Sequence, residues 1–442
     1  MQKILIIGYV WAEPGSSAAG SRMLELLTLF RAQGWQVLFA SAAALSEHRA
    51  DLSALQIEEK SIALNCDSFD QFIADYQPDM VLFDRFFTEE QFGWRVEKAW
   101  PSALRVLDTS DLHSLRHARH AMLKQAQQAC ANETERQQLG AVATDFEVAY
   151  PLMADDDMAQ REIAAIYRCD LTLMISPAEM SLLQQQFGIP AVLLHHCNLM
   201  LLRTQTEQTE QTEQTEQTHA PNFAQRQHFL SIGNFRHAPN WDAVLWLKHA
   251  IWPRIRQQLP QVQLQVVGAY PPPKATALHN PQQGFQMLGW VPDAHAVMSQ
   301  ARVCLAPLRY GAGIKGKLAD AMACGTPSVT TKIGSEGMCG DLPWGGAVAQ
   351  DVDGIVAAAV NLYLDQAVWQ TAQQQGNEIL RLCFDRQQSA AELVQRLLVA
   401  KQQQAENRQR NFTGAMLRHH LHKSSHYMSQ WIAAKNAASA PI

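Results

Sequence analysis

Short apolar runs alternate along the chain with longer stretches in which apolar residues recur every three or four positions. In the first half, Lys3 to Gly8 reads as a buried strand entering a loop, Val10 to Ser21. Met23, Leu26, Leu27 and Phe30 then fall at helical spacing, which predicts a helix over about 21–33 with Gly34 as its C-cap. Trp35 to Ala40, Asp79 to Asp84, Leu104 to Leu107 and Leu171 to Ile175 read as further strands. The second half repeats this grammar. Phe229 to Ile232, Gln263 to Val267, Gln286 to Leu288, Val303 to Ala306 and Ser328 to Thr330 read as strands, and Trp241 to Gln258, His295 to Gln300 and Lys317 to Cys324 as helices. Apolar strands separated by helices predict a parallel, doubly wound α/β sheet in each half. Two Rossmann-like halves place a cleft between them, with ligands beyond the carboxyl ends of the strands.

One segment breaks the pattern. From Thr204 to Thr218 the chain repeats Thr-Glu-Gln without an apolar residue, so it has nothing to bury against the entropy of ordering. The expected organisation is therefore a first Rossmann-like domain at 1–201 and a low-complexity linker at 202–226. A second Rossmann-like domain follows at 227–400, then a polar C-terminal helical tail at 401–442.

Composition narrows the class. The 442 residues are 47% hydrophobic and 18% charged, with a formal net charge of −6. That suits two or three packed domains and argues against disorder over most of the chain. Mild acidity gives no electrostatic reason to expect nucleic acid as a partner. No apolar run reaches the roughly 20 residues of a membrane span, and the N-terminal run is too short for a signal peptide. A cytoplasmic protein is expected. Peripheral contact with the inner face of a membrane stays open, although no N-terminal helix is strongly basic. The eight cysteines are scattered without a C-x-x-C pair and read as reduced core fillers. The cluster of His419, His420, His422 and His426 has no accompanying carboxylate. It reads as surface, or as part of a terminal helix packed through Phe412, Met416, Leu417 and Leu421. No metal is expected.

The densest chemical signal runs from Ala306 to Gly337. A strand ends at Pro307, the turn Gly311-Ala312-Gly313 follows, and Lys315 and Lys317 stand at a helix start. Glycines let backbone approach a phosphate, and a helix N-terminus favours an anion. Arg309, Lys315 and Lys317 add positive charge. Asp320, one turn beyond Lys317, is placed to accept hydrogen bonds from ribose hydroxyls. Gly334-Ser335-Glu336-Gly337 forms a second glycine turn after the next strand.

The run Asp320-Ala321-Met322-Ala323-Cys324-Gly325-Thr326-Pro327-Ser328-Val329 resembles the donor-site signature of GT-B glycosyltransferases, in particular the large retaining group that includes sucrose and mannosyl transferases. Other stretches agree. Gly8 with Pro14 to Arg22 resembles the first glycine-rich loop, in which Gly15, Ser17 and Gly20 would face acceptor and phosphates. Val106 to His113 resembles a segment recurring in bacterial members. Arg168-Cys169-Asp170 with Ser176 and Glu179 resembles the last strand of the first domain and its helix. Ser231 to Asn240 resembles the opening of the donor domain, and Gly289 to Asp293 the loop that commonly contacts the base.

The resemblance implies a GT-B fold and glycosyl transfer from a nucleotide-diphosphate sugar to a glycan, lipid-linked or protein acceptor, in cell-surface polysaccharide or glycoconjugate synthesis. It implies retention of configuration and no cofactor or metal. The departing phosphate would assist the attack, so no dedicated nucleophile is expected. Gly313, Lys315, Lys317, Arg309 and Arg236 would bind the donor diphosphate, Asp320 the ribose, and Gly334 and Glu336 the region of the sugar. His113, two residues after Asp111, would serve the acceptor side, with Lys317 and Asp320 in the catalytic set. The residues alone also allow His113 to be a loop histidine bonded to backbone, with Asp108 or Asp111 capping the next helix.

Two departures bear on activity. The family usually carries two glutamates about eight positions apart. The second maps to Asp320, but the first falls on Gly311 or Ala312. The Arg and Lys that usually hold the diphosphate fall near Asn234 and Asn240, which are uncharged. Charge would then come from Arg236, Arg309, Lys315 or Lys317. The missing acid motivates an alternative: a GT-B protein of weak or no activity that serves as a binding or scaffold partner. An NAD-dependent oxidoreductase is disfavoured, since the first loop lacks a clean G-x-G-x-x-G.

Overall fold

The computed structural model describes residues 2–200 and 221–438. The first sheet has seven strands: β1 (Lys3–Gly8), β2 (Gln36–Ser41), β3 (Glu58–Ser61), β4 (Met80–Asp84), β5 (Leu104–Asp108), β6 (Leu171–Met174) and β7 (Leu194–His196). Their order is β3-β2-β1-β4-β5-β6-β7. The second has six: β8 (Gln227–Ile232), β9 (Leu264–Val267), β10 (Phe285–Gly289), β11 (Ala301–Ala306), β12 (Ser328–Thr330) and β13 (Gly346–Val348). Their order is β10-β9-β8-β11-β12-β13. All these pairings are parallel.

The central strands follow from their apolar runs. Ile4 to Ile7 and Met80 to Phe83 are wholly buried, as continuous apolar strands in a sheet covered on both faces must be. The sequence pattern missed β3, β7 and β13, and all three lie at sheet edges. Glu58-Glu59-Lys60-Ser61 has no apolar residue, and its burial is correspondingly slight. The first helix spans Ala18–Ala32 rather than starting at 21, because Ser17 caps it by accepting from the Gly20 N–H at 3.1 Å. The helix expected over 241–258 begins at Ala238 and carries a π turn at Leu247–Ile251, just before Pro253.

The expected domain boundary at 400 needs correction. It falls inside the helix Arg386–Gln402, whose Leu393, Leu397 and Ala400 are buried in the first domain's core with Ile4, Phe30 and Leu104. Arg408 then donates to both oxygens of Asp170, at 2.7 Å each. The C-terminal stretch is thus part of the first domain, not a free tail. Its final helix, Phe412–Ala438, lies on the helices Arg85–Ala99 and Asp157–Arg168. Phe412 and Met416, expected to pack, point outward at 76% and 47% exposure. The contact face is made instead by Gly414, against the Tyr167 carbonyl, by Ser429, bonded to Arg95 at 2.8 Å, and by His426, edge-on to Trp94. Most of the expected linker, 202–220, lies outside the described residues. Among the described residues no helix is long and apolar enough to cross a membrane.

Candidate functional site

Strand order reverses beside β1 in the first sheet and beside β8 in the second. Each reversal opens a crevice at the strands' carboxyl ends. The helix after β1 starts at Ala18 and the helix Gly316–Ala323 follows β11. A Cβ placed on Gly316 would lie 2.6 Å from the Ala18 Cβ, so the two helix N-termini meet across the interdomain cleft. The N–H groups of a helix's first turn lack intrahelical acceptors, which makes this floor attractive to an anion.

Lys317 stands one residue into that helix. Its ammonium donates to Asn240 Oδ1 at 2.6 Å, and Asn240 Nδ2 donates to the Asn234 carbonyl at 3.0 Å. Lys317 has no ion-pair partner among the described residues. Desolvation lowers its pKa to about 8, leaving it charged at neutral pH. A small cavity lined by Ser231, Gly233, Asn240, Ala306 and Lys317 opens beside it. Asn240 therefore occupies the place of an expected cation and serves as an acceptor that aims Lys317. Asp320 lies one turn further on, half-exposed, with His295 Nε2 3.6 Å from Oδ1.

The other predicted cations have different fates. Arg309 donates to Asp242 at 2.9 and 2.5 Å and is spent there, so its expected place on the donor is corrected. Lys315 is buried, and its ammonium donates to the carbonyls of Ala312 and Gly313 at 3.1 and 2.6 Å. It secures the glycine turn from behind rather than facing a ligand. Arg236 lies at the cleft rim, its guanidinium 3.5 Å from the centroid of the Tyr270 ring. Glu336 is also corrected: it is committed to Arg119 of the first domain at 2.7 Å on each oxygen. Gly334 sits in the short helix Lys332–Ser335, where a side chain would collide with Thr330 Oγ1.

On the first-domain side, Gly15 offers its carbonyl to Trp290 Nε1 at 3.1 Å, and Tyr270 donates to Glu13 at 2.9 Å. Trp290 also stacks on His48, with centroids 4.9 Å apart. The loop expected to meet the base thus closes directly on the first glycine-rich loop. Gly20 is required because a Cβ there would strike Glu13 backbone.

His113 begins the helix His113–Ala129, with Nε2 3.5 Å from Asp111 Oδ1 and its ring edge-on to Phe86 and Phe87. Burial lowers its pKa to about 4, keeping the imidazole neutral. The cap of this helix is neither Asp108 nor Asp111. Glu162 accepts from the backbone of His113 and Ser114 at 2.9 and 3.0 Å, while Asp108 pairs with the buried Arg22. Asp111 pairs with Arg116; burial opposes its ionisation, but Arg116 and His113 hold its carboxyl below the usual range. His237, which sequence reasoning did not single out, opens to the same space among Arg116, Asp111 and Lys317. Among the described residues no group of three or more His, Cys, Asp and Glu could hold a metal.

Residues 226–365 match the family model of the glycosyl transferases group 1. No curated protein matches the chain. Among solved structures, the chain is similar to sucrose-phosphate synthase from Thermosynechococcus elongatus, with TM-score 0.60 and 16% identity over 90% of this chain and all of that one. It is similar to Anabaena Alr3699/HepE in complex with UDP and glucose, with TM-score 0.62 and 14% identity over 90% of this chain and all of that one. It is similar to S. aureus TarM, solved with UDP and alpha-GlcNAc-glycerol, at TM-score 0.62 and 7% identity over 91% of this chain and all of that one. The cleft between two parallel sheets is that of a GT-B fold, and residues 226–365 are what the glycosyl transferases group 1 model matches.

Proposed function

We propose that the protein transfers a glycosyl group from a nucleotide-diphosphate sugar to an acceptor hydroxyl, with retention at the anomeric carbon. The observation that supports this most is Lys317, a cation without an ionic partner among the described residues, held by Asn240 where two helix N-termini converge. Positive charge built into that floor stabilises a departing diphosphate. In the step, the bond from the anomeric carbon to the phosphate oxygen breaks. The bond from acceptor oxygen to carbon forms on the same face, and the hydroxyl proton passes to the departing phosphate. Lys317 and the Gly316 N-terminus supply the charge, so the scheme needs no metal or other cofactor. Asp320 holds the ribose, and His113, neutral among Phe86 and Phe87, borders the acceptor. Contact between the first glycine-rich loop and Trp290 excludes water and spares the donor from hydrolysis. The acceptor is a glycan, lipid-linked or protein hydroxyl, in surface polysaccharide or glycoconjugate synthesis.

The neighbours solved with UDP put uridine nucleotides first in the test. A thermal-shift panel of UDP, GDP, ADP and their common sugars is run on wild type, Lys317→Ala and Asp320→Ala. A ligand at 100 times its Kd adds about 2.7 kcal/mol of stability. A shift with one nucleotide, reduced in both variants, is expected. No shift with any nucleotide overturns the donor site. The absence of the first motif acid, at Gly311 or Ala312, favours the second reading, a nucleotide-sugar-binding partner without transfer. That reading predicts binding with no free nucleoside diphosphate released.

A further inference from the structure

The turn Gly311-Ala312-Gly313 carries no acid of its own, yet a carboxylate reaches it. Glu179 belongs to the first domain, on the helix Pro177–Gln185 after β6. Its side chain is wholly buried. One oxygen, Oε1, accepts from the Gly313 N–H at 2.7 Å and from the Leu112 N–H at 3.2 Å. The other, Oε2, is buried with no hydrogen-bond partner among the described residues. One carboxylate thus fastens the glycine turn of the second domain to the loop after β5, which carries Asp111 and His113.

The surroundings fit this fastening. A Cβ on Gly313 would lie 2.6 Å from Asp111 Cβ, and its φ of +65° favours glycine, so turn and loop are in direct contact. Arg119 of the first domain donates to the Gly311 carbonyl at 2.9 Å, and Lys315 holds the carbonyls of Ala312 and Gly313. Gly313 N–H is the polar group these cations cannot satisfy, and Glu179 takes it. Burial and the neighbouring Asp111 push the Glu179 carboxyl up to about 8, while Lys315 pulls it down. The contact needs only an acceptor oxygen, which either protonation state supplies at Oε1.

We infer that Glu179 is a positioning residue for the donor site: from the opposite domain it supplies the buried acceptor for the Gly313 N–H, and so sets the glycine turn against the Asp111–His113 loop. It touches no ligand, being enclosed, and acts through Gly313. The inference rests on the transfer reading for its kinetic consequence but not for its geometry.

The test compares Glu179→Gln, Glu179→Asp and Glu179→Ala in the full chain. Gln keeps an acceptor at the same reach, Asp keeps the carboxyl group one methylene short, and Ala removes the acceptor. Solution scattering without ligand reads domain separation. Wild type and E179Q are expected to match, while E179A and E179D show a larger radius of gyration at unchanged secondary structure. With the donor that binds, E179A and E179D should lose about tenfold or more in kcat, from the lost hydrogen bonds to a buried carboxyl oxygen. Their donor KM should change little, and E179Q should stay close to wild type in both. If E179A does not fold, E179D against E179Q decides alone. Unchanged scattering and kcat in E179D overturn the inference, as does an E179Q variant as impaired as E179D. If wild type turns over no donor, the transfer reading fails while the scattering arm still decides the role of Glu179.

Discussion

Arg119 and Glu336, 217 positions apart, form a two-pronged ion pair between the domains, with both N–O distances at 2.7 Å. Arg119 is fully enclosed, and Glu336 is one-tenth exposed. Removing either partner leaves the other charge buried and unpaired. Arg119→Ala should therefore cost about 3–5 kcal/mol in urea unfolding, far above a surface pair. A loss under about 1 kcal/mol would show the pair to be dispensable.

Donor affinity should depend on pH through Lys317. Its pKa of about 8 means that it loses its proton as pH rises through that value. A bound diphosphate stabilises the charged form, so binding above pH 8 takes up a proton. Kd should rise about tenfold per pH unit there until the bound-state pKa is reached. Calorimetry at pH 7, 8 and 9 checks this, and Lys317→Met should flatten the profile.

Asp320 should be read out through the sugar of the nucleotide. Hydrogen bonds to a carboxylate are worth about 1.5–3 kcal/mol, so Asp320→Ala should weaken nucleotide binding about 10- to 100-fold. Wild type should prefer ribose over dideoxyribose by a similar factor, and the variant should show no preference. The same variant should lower the pKa of His295, which is raised chiefly by the adjacent Asp320 carboxylate. Proton NMR of the imidazole follows that change.

His113 should make the fold sensitive to acid. Its folded pKa of about 4 lies below the ordinary 6.5. The unfolded chain therefore binds a proton that the folded chain refuses, and stability falls as pH drops from 6.5 towards 4. The full effect is about 3 kcal/mol. Replacement by Asn should remove this part of the acid loss in denaturation curves taken across that range.

The central strands were legible because burial on both faces leaves an unbroken apolar run, as in Met80 to Phe83. The edge strand Glu58–Ser61 was not, since one side of it meets water and its pairing rests on backbone alone. The glycine turn, Lys317 and Asp320 were legible because they are close in sequence. Which cation is free was not. Arg309 and Lys317 look alike until the fold brings Asp242 to one and Asn240 to the other, 67 and 77 positions away. Glu179 could be placed in its motif, but its target Gly313 lies 134 positions on. Topology alone joins them.

After Asp385 the chain returns to the first domain. The backbone passes between the halves twice, once between residues 200 and 221 and once near Asp385, where Asn198 Nδ2 holds the Cys383 carbonyl at 2.7 Å. The first domain's core is therefore closed by residues from both ends of the sequence, and a fragment ending at residue 200 would lack the Leu393 and Leu397 that fill it.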